Sequence, residues 1–315
     1  MKSYIIITGA AGFIGSHLCD AFVKRNYHVI GIDDLSSGRI SNIYHLLDQI
    51  SFIEGSILDP SILDKACLVT PKPTAIFHLA AIPSVISSIE LPEASHQVNV
   101  NGTFQVLMAA KKHNIRRVIY SASSSAYGES PEEFKSEEIC PDLISPYGLQ
   151  KWVGEKYCEL FAKYYNVETI SLRYFNVFGP RQDPNSLYAA VIPKFINSVI
   201  NETPVTIHGD GLQSRDFTYI DNIIEGNLKS FFAPKDACGK VYNLAIGKSE
   251  TLLSLLDTIE RILGKKAKRE FLPLRAGDIR DSKASIKLIE KMLNYEPIVN
   301  FYDGMKLTID YFKKI

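Results

Sequence analysis

The chain has 315 residues and balances 35 Lys and Arg against 35 Asp and Glu. That length suits one large α/β domain plus a smaller one, and zero net charge leaves no basic field for a phosphate backbone or an anionic membrane surface, so neither nucleic acid nor membrane is expected as a partner. The cysteines (Cys19, Cys67, Cys140, Cys158 and Cys238) form no CxxC pair and are expected to be small buried hydrophobes with no metal site; the lack of a long apolar run, and a strand directly after Met1-Lys2-Ser3, point to a cytoplasmic protein.

The first element, Tyr4-Ile5-Ile6-Ile7, is an apolar, β-branched run that predicts a buried strand. Gly9, Gly12 and Gly15 follow on a turn that opens a helix with apolar residues at Ile14, Leu18, Ala21 and Phe22. Such a turn needs backbone that takes positive φ or approaches another group closely, and the helix start directs unpaired N–H groups and a positive dipole end outward, which suits an anion. The second strand, from His28, ends in Asp33, a carboxylate about 20 residues after the glycines, as a dinucleotide site requires. A carboxylate accepts from a ribose 2′-OH and repels a 2′-phosphate, so NAD is expected over NADP.

Later strands are predicted at Ser51–Glu54, Thr74–Leu79, Arg116–Ala122 and Val167–Arg173. Between them Pro92–His113 reads as one long helix containing Asn99, and Tyr147–Tyr165 as another. This alternation predicts right-handed βαβ units and a doubly wound parallel (Rossmann) α/β sheet, with ligands at the carboxyl ends of the strands. His78 has no acidic or histidine partner at metal spacing and reads as a satisfied core residue. Beyond Asn176 the elements shorten: a helix near Ala189–Ile200, strands at Val205–Ile207 and Lys240–Leu244, and helices near Leu252–Leu263, Ile286–Leu293 and Gly304–Lys313. Residues 1–176 are therefore expected to form the NAD-binding domain, and 177–315 a smaller C-terminal α/β substrate domain, with segments 216–232 and 241–245 returning to the first.

Tyr147 and Lys151 lie four residues apart on one helix face. Moving a phenol from its usual pKa near 10 to about 7 takes roughly 4 kcal/mol, which a lysine and the charge of an oxidised nicotinamide could supply together. By spacing alone, two surface residues are the commoner outcome.

The displaced middle glycine of TGAAGFIGSHL, with SASSSAYG (Ser121–Gly128), SPYGLQK (Ser145–Lys151) and RYFNVFGPRQDP (Arg173–Pro184), resembles the extended short-chain dehydrogenase/reductase family acting on nucleotide sugars. The resemblance implies that Ser123, Tyr147 and Lys151 are catalytic: Ser123 binds the reacting hydroxyl, Tyr147 is the general base, and Lys151 holds the nicotinamide ribose and lowers the tyrosine pKa. It implies NAD contacts at Gly9, Gly12, Phe13, Ile14, Gly15, Asp33, Asp34, Ser56 (where relatives often carry Asp), Ile57, Leu79, Ala80, Ala81, Asn99, Ser121, Tyr147, Lys151, Tyr174 and Phe175. Sugar-nucleotide contacts are implied at Ser84, Ser123, Ser124, Ser125, Tyr147, Asn176, Ala190, Val191, Lys194, Thr206, Ile207, His208, Arg215, Arg275, Asp278 and Ser282. Two arginines suit a diphosphate, since a guanidinium meets phosphate oxygens bidentately.

Within that family, dehydratases and decarboxylases carry an acid just after the serine. Here Ser124 and Ser125 stand there, and hydroxyls cannot replace a carboxylic acid, so the resemblance narrows to 4-epimerisation of UDP-hexoses through a 4-keto intermediate with NAD tightly held. QDPNSLYAAVIPKF and the small Ser282 are similar to the branch that accepts N-acetylhexosamines, implying interconversion of UDP-GlcNAc and UDP-GalNAc, with UDP-glucose and UDP-galactose as further substrates. A strict UDP-glucose epimerase, another nucleotide-sugar enzyme of the family and a nonenzymatic NAD-binding sensor remain alternatives. The family also implies a homodimer through a four-helix bundle of Pro92–His113 and the Tyr147 helix.

Overall fold

A computed structural model describes residues 3–183, 191–273 and 280–314. Seven strands, β1 (Tyr4–Thr8), β2 (His28–Asp33), β3 (Ser51–Glu54), β4 (Ala75–His78), β5 (Arg117–Ser123), β6 (Glu168–Tyr174) and β7 (Lys240–Leu244), form one sheet in the order β7-β6-β5-β4-β1-β2-β3. Every neighbouring pair is parallel. Parallel strands covered on both faces read as continuous apolar runs, which is why Ile5, Ile6 and Ile7 need no polar alternation. Ile5 and Ile7 enter one core with Phe22 and Ile220, whereas Ile6 enters the opposite core with Leu63, Val106 and Phe161. Chain order reverses between β1 and β4, opening the crevice at their carboxyl ends.

Helix Pro146–Tyr165 starts on Ser145, whose Oγ accepts from Gly148 N at 3.1 Å, and on Pro146 in the first turn; it ends at Asn166 in the left-handed region. The segment 92–113 departs from the single α-helix expected. It runs Pro92–His96 as α-helix, Gln97–Gly102 as π-helix and Thr103–Lys112 as α-helix again. One wider turn in mid-helix leaves the apolar spacing nearly intact, so the sequence pattern does not reveal it. Cys19, Cys67 and Cys158 are buried, but Cys140 is exposed and Cys238 half-buried, which corrects the expectation for all five. Cys140 lies outside any strand or helix, where no packed face covers it.

The remaining sheets are small. Glu250–Thr251, Ser214–Arg215, Asp281–Ala284 and Phe134–Lys135 form one, in that order; Val177–Phe178 pairs with Thr218–Tyr219, and Val205–His208 with Arg269–Leu272. Helix Ile220–Phe232 packs against helix Phe13–Lys24, and β7 is the outer strand beside β6, so both late segments lie on the large sheet. Among the described residues no helix is long and apolar enough to cross a membrane.

Candidate active site

Gly9 has φ +72°, and a Cβ there would lie 2.8 Å from Ala80 N; a Cβ on Gly15 would lie 1.9 Å from Gly9 O. The glycines thus let three backbone segments close on one another beneath the start of helix Phe13–Lys24. Gly12 precedes that helix, and no side chain caps it, leaving first-turn N–H groups for a ligand. At the end of β2, Asp33 is buried, with Oδ2 accepting from Ala11 N and Oδ1 from Leu35 N, both at 2.9 Å. Burial pushes its carboxyl up, these N–H groups oppose the shift, and the Asp34 charge adds to it. A cradle that a Cβ would fill, an uncapped helix start and a fixed carboxylate acceptor together fit a dinucleotide.

Tyr147 and Lys151 are buried on successive turns of helix Pro146–Tyr165, facing the end of β5. Ser123, the last residue of β5, lies within hydrogen-bonding reach of the Tyr147 phenol. Its Oγ donates to Ser125 Oγ at 3.0 Å and accepts from Ser125 N at 3.1 Å, in the turn Ser124–Tyr127. Lys151 Nζ donates to Ser121 O at 2.7 Å and lies 6.0 Å from the centre of the Tyr147 ring. Burial pushes the Tyr147 phenol up to about 12, with the Ser123 hydroxyl pulling it back. Lys151 is not among the groups acting on the phenol in this arrangement. Burial lowers Lys151 to about 8, while the Glu155 carboxylate, followed by Cys158, holds it up.

Several expected contacts turn out to have protein partners. Asn99, in the π-helical turn, accepts from Ile82 N at 2.8 Å and donates to Ile82 O at 3.1 Å and Gln150 Oε1 at 2.8 Å. Its amide ties the loop after β4 to the Tyr147 helix. Phe175 is fully buried against Tyr127, Ala245 and Ala284, and Ile57 is buried in the core beneath Gly102. Tyr174 donates to Asn227 Oδ1 at 3.0 Å. Leu79, Ala80 and Ala81 are half-buried at the end of β4, where Leu79 N and Ala80 N donate to Thr8 Oγ1 at 3.2 and 3.3 Å. Phe13, Ile14 and Ser56 are half-buried and Asp34 is exposed, its Oδ1 accepting from Ser36. Between Thr8 and Thr103, His78 has both ring nitrogens engaged, at 2.8 and 3.0 Å, as a satisfied core histidine.

Ser84 caps helix Val85–Glu90, accepting from Ser87 N. Asn176 is exposed, with φ of 26°, a sparsely populated conformation for a residue with a Cβ. Its carbonyl accepts from Thr218 N at 3.2 Å. Val191 and Lys194 lie on helix Val191–Ile200; Thr206 is exposed and Ile207 buried on their strand, and His208 Nδ1 donates to Pro273 O at 3.1 Å. Arg215 stands opposite Ser282 in a parallel pairing, with Ser282 buried. Ala190, Arg275 and Asp278 lie outside the described residues.

Residues 5–245 match the NAD-dependent epimerase/dehydratase family. The chain belongs to that family. As an NAD-dependent epimerase/dehydratase it takes NAD as its cofactor, which the cradle at Gly9–Gly15 fits. It is similar to the UDP-N-acetylglucosamine 4-epimerase of Methanobrevibacter ruminantium, solved with UDP-N-acetylmuramic acid: 37% identity, TM-score 0.93, covering 100% of this chain and 99% of that one. The UDP-glucose 4-epimerase of Thermotoga maritima, solved with UDP-glucose, is 35% identical with TM-score 0.93 and 99% of each chain covered. The UDP-glucuronic acid 4-epimerase of Bacillus cereus, solved with UDP-glucuronic acid and NAD, is 35% identical with TM-score 0.89 over 99% of each chain.

Sequence reasoning missed several residues that hold this epimerase/dehydratase site in place. Ser88 Oγ accepts from Tyr147 N at 3.0 Å, fixing the start of the tyrosine's helix. One turn beyond Lys151, the buried Glu155 receives Arg173 through two bonds of 2.8 and 2.7 Å, and that guanidinium lies 4.5 Å from the centre of the Tyr127 ring. Glu155 follows Lys151 at helical spacing, a signal that could have found it. Ser88 offers none, because its partner is 59 residues away.

Proposed function

We propose that this UDP-sugar 4-epimerase interconverts UDP-GlcNAc and UDP-GalNAc, and also UDP-glucose and UDP-galactose. The observation that carries the reaction type is the cluster of Ser123, Tyr147 and Lys151 beside a turn whose next residues, Ser124 and Ser125, are hydroxyls. When bound, NAD supplies reversible two-electron oxidation at a sugar carbinol. Tyr147 takes the proton of the C4 hydroxyl and returns it, while Ser123 holds that oxygen in line. Lys151, anchored on Ser121 O, is the cation that steadies the phenolate and a ribose hydroxyl. With hydroxyls at 124 and 125, neither position supplies the acid or base that loss of water or carbon dioxide would use, which favours plain inversion at C4.

Arg215 binds the diphosphate, Asn176 the sugar, and Ser282 leaves space for an acetamido group. The supporting observation is the register that sets Arg215 beside the small, buried Ser282. Similar chains act on UDP-glucose, UDP-GlcNAc and UDP-glucuronic acid at nearly equal identity, so the sugar preference rests on Ser282 rather than on likeness. In this reading residues 1–176, with 216–232 and 241–245, hold NAD, and the rest of 177–315 holds the UDP-sugar. Exposed Phe104 and Met108 on one helix, and Leu149 and Leu160 on the Tyr147 helix, supply the apolar face of a homodimer.

The deciding experiment incubates the purified protein with UDP-GlcNAc and with UDP-glucose, without added NAD, and separates the products. Both 4-epimers are expected. Turnover of UDP-glucose alone overturns the acetamido assignment, and NAD consumed in proportion to product overturns epimerisation.

A further inference from the structure

Asp216 lies directly after Arg215 and is fully buried. The groups that reach its carboxylate are neutral donors from three separate segments. Thr218 Oγ1 donates at 3.3 Å and Ile246 N at 3.2 Å to Oδ1, Ala284 N donates at 3.4 Å to Oδ2, and the Gly247 N–H adds to these. Ile246 and Gly247 follow β7 of the large sheet, whose Leu244 O accepts from Phe175 N. Ala284 ends the strand bearing Ser282 and packs with Tyr127 and Phe175 beneath the Ser123 turn. Thr218 in turn donates its backbone N–H to Asn176 O. Asp216 is thus the node at which the large sheet, the Ser282 strand and the Asn176 corner meet.

The backbone on either side of Arg215 is pinned to the same strand: Ser214 N donates to Arg280 O at 2.9 Å and Asp216 N to Ser282 O at 2.8 Å. We infer that Asp216 is a positioning residue for the sugar-nucleotide diphosphate, its carboxylate gathering the donors of three segments so that Arg215, Ser282 and Asn176 keep one spacing relative to the catalytic tyrosine. The inference rests on the proposed role of Arg215, Asn176 and Ser282 in binding the UDP-sugar. An amide of the same shape would direct an NH2 group at N–H donors, leaving at least one buried donor unpaired and letting the strands part. Burial pushes the Asp216 carboxyl up to about 7 while the surrounding donors oppose it, so the site holds this acid at a cost.

The test compares wild type, Asp216→Asn and Thr218→Val, each purified with its own NAD. UDP affinity is measured by calorimetry, KM and kcat by epimer formation, and NAD content by release on denaturation. Asp216→Asn is expected to weaken UDP about tenfold and raise KM for the UDP-sugar by a similar factor, with kcat within about threefold and NAD content unchanged. Thr218→Val, which deletes one donor and keeps the volume, is expected to move UDP affinity about threefold the same way, and it decides the matter if Asp216→Asn does not fold. UDP affinity within about twofold of wild type in the folded variants, or a fall in kcat at constant KM, overturns the inference. Wild-type protein that fails to bind UDP instead overturns the reading of the sugar-nucleotide site itself.

Discussion

The large parallel sheet and the small sheets beyond it solve the same problem, holding side chains at fixed distances, by different means. On the large sheet, fixing comes from close contact: apolar strands buried on both faces, and a glycine cradle with no room for a methyl group. In the small sheets the strands are two to four residues long, and polar links such as the Asp216 carboxylate and the Ser214–Arg280 bond span them. The first arrangement tolerates no added volume. The second tolerates volume but not the loss of a hydrogen-bonding partner.

The largest effect is expected where the two meet. Tyr147→Phe should lower kcat by about 10³-fold or more, with NAD content and melting temperature near wild type, as single-turnover assays would read. Retained activity would show that the phenol is not the base. Next, Gly15→Ala should cost about 3 kcal/mol or more and abolish NAD retention, because its methyl group would meet Gly9 O; protein that keeps NAD would break the contrast at its firmest point.

A smaller effect sharpens the other side. Asp216 has a folded pKa pushed up to about 7, above that of an unfolded aspartate, so its contribution is fully present at pH below the unfolded value near 4 and is lost as pH rises through 7. Wild type should therefore lose about 2 kcal/mol relative to Asp216→Asn between pH 5 and pH 8 in denaturant titrations. Parallel pH curves would show that the carboxyl titrates normally. The smallest effect belongs to Ser282→Tyr, which should depress turnover of UDP-GlcNAc about tenfold more than that of UDP-glucose; equal loss of both would count against a steric gate.

The same contrast explains what could be read from the sequence. The glycine turn and Asp33 were legible because each depends on local spacing along one strand or helix, whereas the Tyr147–Lys151 pair stood out only through the motifs around it, since its spacing alone is that of any two helix-surface residues. Helix Ile220–Phe232 left a clear signal in Ile220, Ile223, Ile224 and Leu228, yet only its return to the large sheet was anticipated. The π-helical turn at Gln97–Gly102 and the strand Ser214–Arg215 were not legible, the one because it barely disturbs apolar spacing, the other because two residues carry no period. Asp216 looked like any aspartate between an arginine and a phenylalanine. Thr218 apart, its partners include Ile246 and Ala284, 30 and 68 residues away, and only the folded chain brings them together.

The parallel pairing of Arg215 with Ser282 also limits how this protein can diverge. An insertion between Gly209 and Gln213 that slipped the ladder by one residue would turn the guanidinium to the opposite face of its strand and set a different neighbour beside it. On the roles proposed for Arg215 and Ser282, the register that places one also places the other. If those roles hold, a lineage seeking a new sugar can exchange position 282 by point substitution, whereas lengthening that connection would disturb the nucleotide site as well.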